Sequence, residues 1–407
     1  MKVLVVGSGG REHALAWKLA QSEHCDELHA APGNPGIAKI GDCHPVRAED
    51  GEGLLGFCGE HDIDLVVVGP EAPLVAGVAD QLRHAGVAVF GPSAAAARIE
   101  GSKSFAKDVM VAAGVPTAER LAVARPPCVV KVDGLAAGKG VFVCRTQEEL
   151  DAGLQAAGGG GDSLVIEELL EGPEVSLFAV CDGTRAVPLG AAQDFKRAAD
   201  GDLGPNTGGM GAYSPAPVVT PKIHARVMRE IIQPAIQGMA QDGVPYSGFL
   251  YAGLMIDRSG NPKALEFNCR LGDPETQPIL LRLKSDLLEL VERALAGTLS
   301  RVEAAWDRRA ALGVVLAAHG YPDEPRKGDR IGGLPAPAED CRVFHAGTRL
   351  EGKELVTSGG RVLCVTALGD SVRMARTRAY EAVDRIRFDG MQYRRDIGFR
   401  AIAPRRS

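Results

Sequence analysis

The 407-residue sequence contains no run of about 18 consecutive apolar residues, which excludes a membrane-spanning helix. Its nine cysteines include no Cys-x-x-Cys pair. Singletons at such spacings fit neither a zinc site nor a disulfide framework, and they suit a reducing cytosol. Basic charge is not in excess: 46 Lys and Arg stand against 52 Asp and Glu, a net charge of −6, which argues against nucleic acid as a partner. The first residues, MKVLVV, lead directly into a strand without the basic and apolar regions of a signal peptide. No internal repeat of fixed period is present. The expectation is a soluble cytoplasmic protein with no membrane or nucleic-acid partner, of ordinary composition and with about two to four packed units. Arginine gathers between Arg373 and Arg406, but Glu381, Asp384, Asp389 and Asp396 interrupt it, and the pattern reads as a solvated face.

Residues 1 to about 100 alternate short apolar strands (Val3–Val6, Leu28–Ala30, Leu65–Val68, Val87–Phe90) with helical segments. Each strand runs into a glycine or proline turn: GSGG, APGNPG, GPEAP and GPS. This alternation predicts a parallel α/β sheet of Rossmann type, with ligands at the carboxyl ends of its strands. A helix is expected over Ser102–Ala113, stopped by GVPT. A β-rich block follows (CVVKVDG, GVFVC, SLVIEEL, EVSLFAV), with a glycine-dense connector, AGGGGD, at 157–162. Residues 190 to 217 read as one long irregular segment, of the kind that carries function. Strands YAGLMID and KALEFN and a helix near Asp286–Ala296 come next. From about Ala311 a smaller α/β unit of hairpins closes with a helix over Met374–Arg387.

Three segments have the composition of phosphate-handling sites. VVGSGGREHALA, residues 5–16, gives Gly-x-Gly-x-x, but Glu12 stands where the dinucleotide fingerprint has its third small residue. The second strand also ends in Ala-Ala-Pro rather than in an acidic residue. These two breaks disfavour NAD and leave a smaller phosphate ester or a structural turn. VVKVDGLAAGKGVFVC, residues 129–144, is one residue short of a Walker A loop, lacks its Ser/Thr and lies between strands. It reads as a glycine-rich hairpin folding over nucleotide phosphates above Lys131, or as an ordinary hairpin with a lysine at its base. In ALEFNCRLGDPETQ, residues 264–277, strand alternation puts Glu266 and Asn268 on one face about 7 Å apart. Their oxygens are hard ligands suited to magnesium. Arg270 reaches the same side if the strand continues. A solvated strand face is the alternative; the turn residues LGDPE that follow at once favour a site.

These elements in this order, with VIEELLEGPEVS at 165–176 between them, resemble the ATP-grasp superfamily. Longer segments narrow the match: APGNPG, GPEAPLVAG, FGPSAAAARIEGSKSFAK, KVDGLAAGKGV, PNTGGMGAYSPAP, EFNCRLGDPETQ and YRRDIG. They are similar to the phosphoribosylamine–glycine ligase (glycinamide ribonucleotide synthetase) family over essentially the whole chain. One departure is Phe195, where the family pattern has histidine in Gln-Asp-His-Lys-Arg; Asp194, Lys196 and Arg197 remain.

The resemblance implies a three-part α/β architecture. Residues 1–102 would be a Rossmann-like domain for phosphoribosylamine, 103–310 an ATP-grasp domain with a lid at about 117–185, and 311–407 a smaller C-terminal domain. It also implies a ligase reaction: ATP, glycine and 5-phosphoribosylamine give glycinamide ribonucleotide, ADP and phosphate through glycyl phosphate. No protein nucleophile is required, and no Gly-x-Ser-x-Gly elbow is present. By the same resemblance Gly9, Gly10, Asn34, Gly69, Pro70 and Glu71 would cradle the phosphoribosylamine. Lys103 and Lys131 would neutralise phosphate oxygens beneath a hairpin containing Gly134, Gly138, Lys139 and Gly140. Glu167 and Leu170 would read adenine and Glu174 the ribose. Glu266 and Asn268 would hold Mg2+ or Mn2+, Arg270 would stabilise the acyl phosphate, and Asp194, Thr207, Gly208 and Gly209 would contact substrate. A transient contact with the enzyme that makes phosphoribosylamine is a further expectation. The competing readings are another ATP-grasp carboxylate–amine ligase, a dinucleotide oxidoreductase and a nucleotide-sensing protein without catalysis.

Overall fold

The computed structural model describes residues 1–135, 140–158 and 164–402. Strands β1 (Lys2–Gly7), β2 (Glu27–Pro32), β3 (Asp42–Cys43), β4 (Leu65–Val68) and β5 (Ala88–Phe90) form a parallel sheet in the order β3-β2-β1-β4-β5. The apolar run in β1 follows from burial on both faces. Leu4 and Val6 enter one core with Val66 and Val68, while Val3 and Val5 enter another with Leu65 and Val67.

The first helix, Gly10–Leu19, starts straight from the GSGG turn, and Glu12 explains the glycines there. Its side chain occupies the space that a Cβ at Gly7, Gly9 or Gly69 would need, at 2.4 to 2.7 Å. Glu12 also accepts from Gly9 N–H at 2.6 Å and from Arg11 Nε at 2.5 Å. The residue that breaks the dinucleotide fingerprint is therefore the one around which the turn is packed.

A three-stranded antiparallel sheet, β7-β6-β8, comprises β6 (Cys128–Val132), β7 (Val141–Cys144) and β8 (Leu164–Glu168). The fourth segment of the expected lid, β9 (Glu174–Gly183), lies instead in a larger sheet. That sheet continues with β10 (Ala186–Asp194), β13 (Gly211–Ser214), β14 (Tyr246–Ile256), β15 (Pro262–Asn268), β16 (Ala310–Ala317), β17 (Cys341–His345) and β20 (Arg361–Gly369). Its order is β15-β14-β9-β10-β13-β16-β20-β17, antiparallel throughout. Strands from the last hundred residues thus extend the central sheet. Two small hairpins, β11 (Arg197–Ala199) with β12 (Leu203–Asn206) and β18 (Thr348–Glu351) with β19 (Glu354–Thr357), stand apart from it.

The structure differs from expectation at two further places. The segment 190–217 is not one irregular loop: it finishes β10, folds into the β11–β12 hairpin and returns as β13. Gly201 and Gly209 take positive φ values of 71° and 118° at its bends. The closing helix spans Val372–Val383, capped by Ser371 accepting from Met374 N–H at 3.2 Å. It stops before Arg387 because that residue exchanges backbone hydrogen bonds with Gly332, both at 2.9 Å.

The first and last modules meet at two histidines. His345 N–H donates to His13 Nδ1 at 2.8 Å, and both rings are buried. Burial and then the neighbouring His345 hold His13 at about 3, and burial holds His345 at about 4, against an ordinary 6.5. Between those values the unfolded chain takes up protons that the folded chain refuses. The stabilising contribution is therefore complete above pH 6.5 and is lost as pH falls toward 3. His13→Gln is expected to lower the midpoint of acid unfolding followed by circular dichroism; an unchanged midpoint would contradict this.

No helix among the described residues is long and apolar enough to cross a membrane.

Candidate active site

A cleft of about 800 Å³ opens between the three-stranded sheet, the β9–β14–β15 side of the large sheet and the turn after β15. It is bordered by Lys103, Lys131, Gly140, Glu167, Leu170, Glu174, Glu71, Asp194, Thr207, Gly208, Glu266, Asn268 and Arg270. Segments more than a hundred residues apart are thereby brought to one place. A larger and more open groove of about 1210 Å³, near Trp306 and His224, borders none of them, so size alone does not locate the chemistry.

Strand β15 slips its register against β14 beside Leu265. The carbonyl of Leu265 accepts from Lys131 Nζ at 2.9 Å, and Glu266 and Asn268 follow on one face. Asn268 Nδ2 lies 3.4 Å from Glu266 Oε1. Burial pushes the Glu266 carboxyl up, but Lys196, Lys103 and Lys131 outweigh it and hold the group below its usual range. A carboxylate kept ionised next to an asparagine, whose side chain also carries an oxygen, is a donor set that fits a hard divalent cation.

Lys131 is fixed from below. Glu167 receives Lys131 at 2.7 Å and Lys107 at 2.8 Å, all three side chains being less than a tenth exposed. Lys107 also donates to Thr117 Oγ1 and Ala118 O, each at 2.8 Å. The Glu167 side chain is thus an internal counter-ion and is not free to read a base. An ammonium has three protons; with two directed at Glu167 and Leu265, one on Lys131 is left for a phosphate. Lys103 opens the helix Lys103–Ala112, and its Nζ lies 3.5 Å from Gly134 O.

Arg270 lies past the end of β15 but on the same cleft. Its guanidinium donates to Glu71 at 3.1 Å, Glu100 at 2.8 Å and Leu271 O at 3.2 Å. Burial works against its charge, while Glu100 and Glu71 more than restore it. Beside it Asp273 pairs with Arg361 at 3.2 Å, which also reaches Gly208 O at 2.7 Å. Asp194 and Glu275 are both pushed up, by burial first; Glu275 reaches about 8, with Asp194 as its next largest cause. Lys196 pairs with Glu174.

Other expected residues are placed differently. Gly9, Gly10, Asn34, Gly69, Pro70, Gly134 and Gly209 do not border the cleft. Asn34 is saturated: its amide donates to Ser8 O at 2.8 Å and His345 O at 3.0 Å, and its oxygen accepts from Gly36 and Ile37. It therefore latches the second turn to β17. The amides of Thr207, Gly208 and Gly209 donate to Lys196 O, Tyr321 Oη and Thr207 Oγ1. The expected cradle of free amides is engaged within the protein. Gly138 and Lys139, and most of the connector at 157–162, lie outside the described residues.

Phe195 is fully buried, with the guanidinium groups of Arg394 and Arg400 4.8 and 4.4 Å from its ring. This corrects the reading of the C-terminal arginines as solvated at Arg394, whereas Arg373, Arg385, Arg387, Arg395 and Arg400 are exposed as expected. Arg394 is completely buried, bonded to Asp202 and Asp396, and Arg400 borders the cleft.

Sequence reading missed Lys107, Glu275, Arg361 and Arg400. Lys107 stands one helical turn after Lys103, a usable signal. Asp273 and Glu275 were visible only as turn residues, and nothing near Arg361 distinguishes it.

Three family profiles match: phosphoribosylglycinamide synthetase N domain over residues 1–100, its ATP-grasp (A) domain over 101–276 and its C domain over 311–400. The chain is 55% identical over 420 aligned residues to the phosphoribosylamine–glycine ligase of Ralstonia nicotianae, covering 99% of this chain and 100% of that one. It is similar to the crystal structure of phosphoribosylamine–glycine ligase from Thermotoga maritima, with a TM-score of 0.85 and 36% identity over 98% and 100% of the two chains. The biotin carboxylase domain of Hydrogenobacter thermophilus 2-oxoglutarate carboxylase, solved with MgADP, ADP and bicarbonate, shares the fold at 18% identity. Its TM-score is 0.73, over 96% of this chain and 91% of that one.

Proposed function

The chain belongs to the phosphoribosylglycinamide synthetase family, and from that premise we propose how its residues divide the work. It is an ATP-dependent ligase of purine biosynthesis that joins glycine to phosphoribosylamine. The family uses a divalent metal ion with ATP. The observation that carries the assignment of residues is the Glu266 carboxylate, kept ionised by three lysines beside Asn268.

Glu266 and Asn268 would hold the ion, magnesium or manganese, which would supply charge neutralisation at the triphosphate oxygens. Lys131, braced by Glu167, and Lys103 face the phosphates. The backbone near Glu167 and Leu170 faces the base, and Glu174 turns from Lys196 to the ribose. The glycine carboxylate attacks the γ-phosphoryl group. Arg270, with donors beyond those given to Glu71 and Glu100, stabilises the resulting glycyl phosphate, and the amine then attacks its carbonyl. Asp194, Thr207, Gly208 and Glu71 border the acceptor's side of the cleft. Gly9, Gly10, Asn34, Gly69, Pro70 and Gly209 support that wall from behind. The work divides over residues 1–102, 103–310 and 311–407, in the cytoplasm, with phosphoribosylamine received through transient contact with the enzyme that makes it.

ADP release measured over a panel of acid and amine pairs tests the substrate choice; equal rates with acids other than glycine would overturn it. Glycine labelled with oxygen-18 in its carboxylate is expected to pass one label to inorganic phosphate. Retention of both labels in the amide product would exclude the acyl phosphate.

A further inference from the structure

Two buried carboxyl groups in the cleft lack a counter-ion of their own. Asp194 ends β10 and Glu275 precedes the helix Thr276–Arg282; they are 7% and 4% exposed, and both border the cleft. Glu275 folds back over Gly272, where an added Cβ would lie 2.5 Å from its Oε2, and its Oε1 is 3.5 Å from Ser176 Oγ. Among the described residues the Asp194 carboxylate accepts no hydrogen bond from another residue; only its backbone carbonyl is engaged, by Arg400 at 2.9 Å. Four cations act on the pair through space, and each is bound to a different acid: Lys196 to Glu174, Arg270 to Glu71 and Glu100, Arg361 to Asp273, and Arg400 to Asp202. The other neighbours, Glu174 and the Tyr251 hydroxyl, add no positive charge. Burial, and then Asp194, push Glu275 up to about 8, so below that pH it carries a proton.

We infer that Asp194 and Glu275 form the receptor for the α-ammonium group of the amino-acid substrate, an inference that rests on the proposed ligation of glycine in this cleft. A buried acid pair must either keep a proton or receive a cation from a ligand. The amine of phosphoribosylamine is not that cation, because the nitrogen that attacks the acyl carbonyl needs its lone pair and must be uncharged. The ammonium of glycine stays charged through both steps. It lies one methylene from the carboxyl group that is phosphorylated beside Arg270, and Arg270 acts on Glu275 as well. The PNTGG loop does not serve, since backbone amides only donate and those of Thr207, Gly208 and Gly209 are engaged. Binding exchanges a cation for a proton: the Glu275 carboxylic acid gives its proton to water, and the ammonium takes its place against the two carboxylates. Acids without an ammonium, such as acetate or glycolate, would leave the pair uncompensated, so these two residues set the preference for an amino acid.

The test is the KM for glycine as a function of pH, read from ADP release with the other substrates saturating. In the unaltered protein it is expected to fall as pH rises and to level off above about 8, because glycine has to displace the Glu275 proton only below that value. Glu275→Gln is expected to raise the glycine KM more than about tenfold above the levelling point and to abolish the slope. Asp194→Asn is expected to move the levelling point to lower pH, since the charge that helps hold Glu275 up is gone. A rise in the glycine KM that the ATP KM does not share separates this role from a merely structural one. A flat profile in the unaltered protein, or an unchanged glycine KM in Glu275→Gln, would overturn the receptor and leave the ligase reading intact. Absence of glycine-dependent ADP release from the unaltered protein would overturn the ligase reading itself.

Discussion

Glu266→Ala is expected to lower ligase turnover by more than about a hundredfold, because the ion proposed to sit on it would supply several kcal/mol of charge stabilisation. The carboxylate lies among Lys196, Lys103 and Lys131, which hold it ionised against its burial. On the proposed assignment, its removal would leave these three lysines without the carboxylate that faces them and the phosphates without a held metal ion. Glu266→Asp, which keeps the charge on a shorter arm, is expected to retain part of the turnover and to need more metal for half-saturation. Steady-state rates over a magnesium titration separate the two variants. Near-normal turnover in Glu266→Ala would remove this residue from the site.

The second large effect concerns stability. Glu167→Ala is expected to destabilise the protein by about 3–5 kcal/mol, because it leaves two buried ammonium groups without their counter-ion. Lys107 and Lys131 are 2% and 8% exposed at the side chain, and burial already lowers the Lys107 pKa. The neighbouring Glu168 pairs with Lys263 at 2.9 Å, but both are more than a third exposed. Glu168→Ala is therefore expected to cost less than about 1 kcal/mol. Urea denaturation of the two variants provides the comparison. Equal losses would mean that the Glu167 cluster is not an ion-paired core.

Much of this was legible in the chain. The parallel sheet could be read because its strands are doubly buried and its turns are marked by glycine and proline. Glu266, Asn268 and Lys131 could be read because strand alternation directs alternate side chains to one face. What could not be read depends on contacts between distant segments. Asn34 looks like a ligand residue in a glycine turn, yet its partners include a carbonyl 311 residues away. The amides of PNTGG look free in sequence, but Tyr321 and Lys196 take two of them. Arg394 and Arg400 sit in a charge run that resembles a wet surface, and only the folded chain shows Phe195 between them. The departure from histidine at that position thus has a physical setting: a flat, uncharged ring between two cations.

The adjacency of β13 and β16 has a consequence for dissection. Gly211–Ser214 ladders directly with Ala311–Val314. A nick between residues 297 and 309 would leave each fragment with a raw sheet margin, not two self-sufficient lobes. Such fragments should be insoluble when expressed singly and should recombine when co-expressed, since each carries the edge that completes the other.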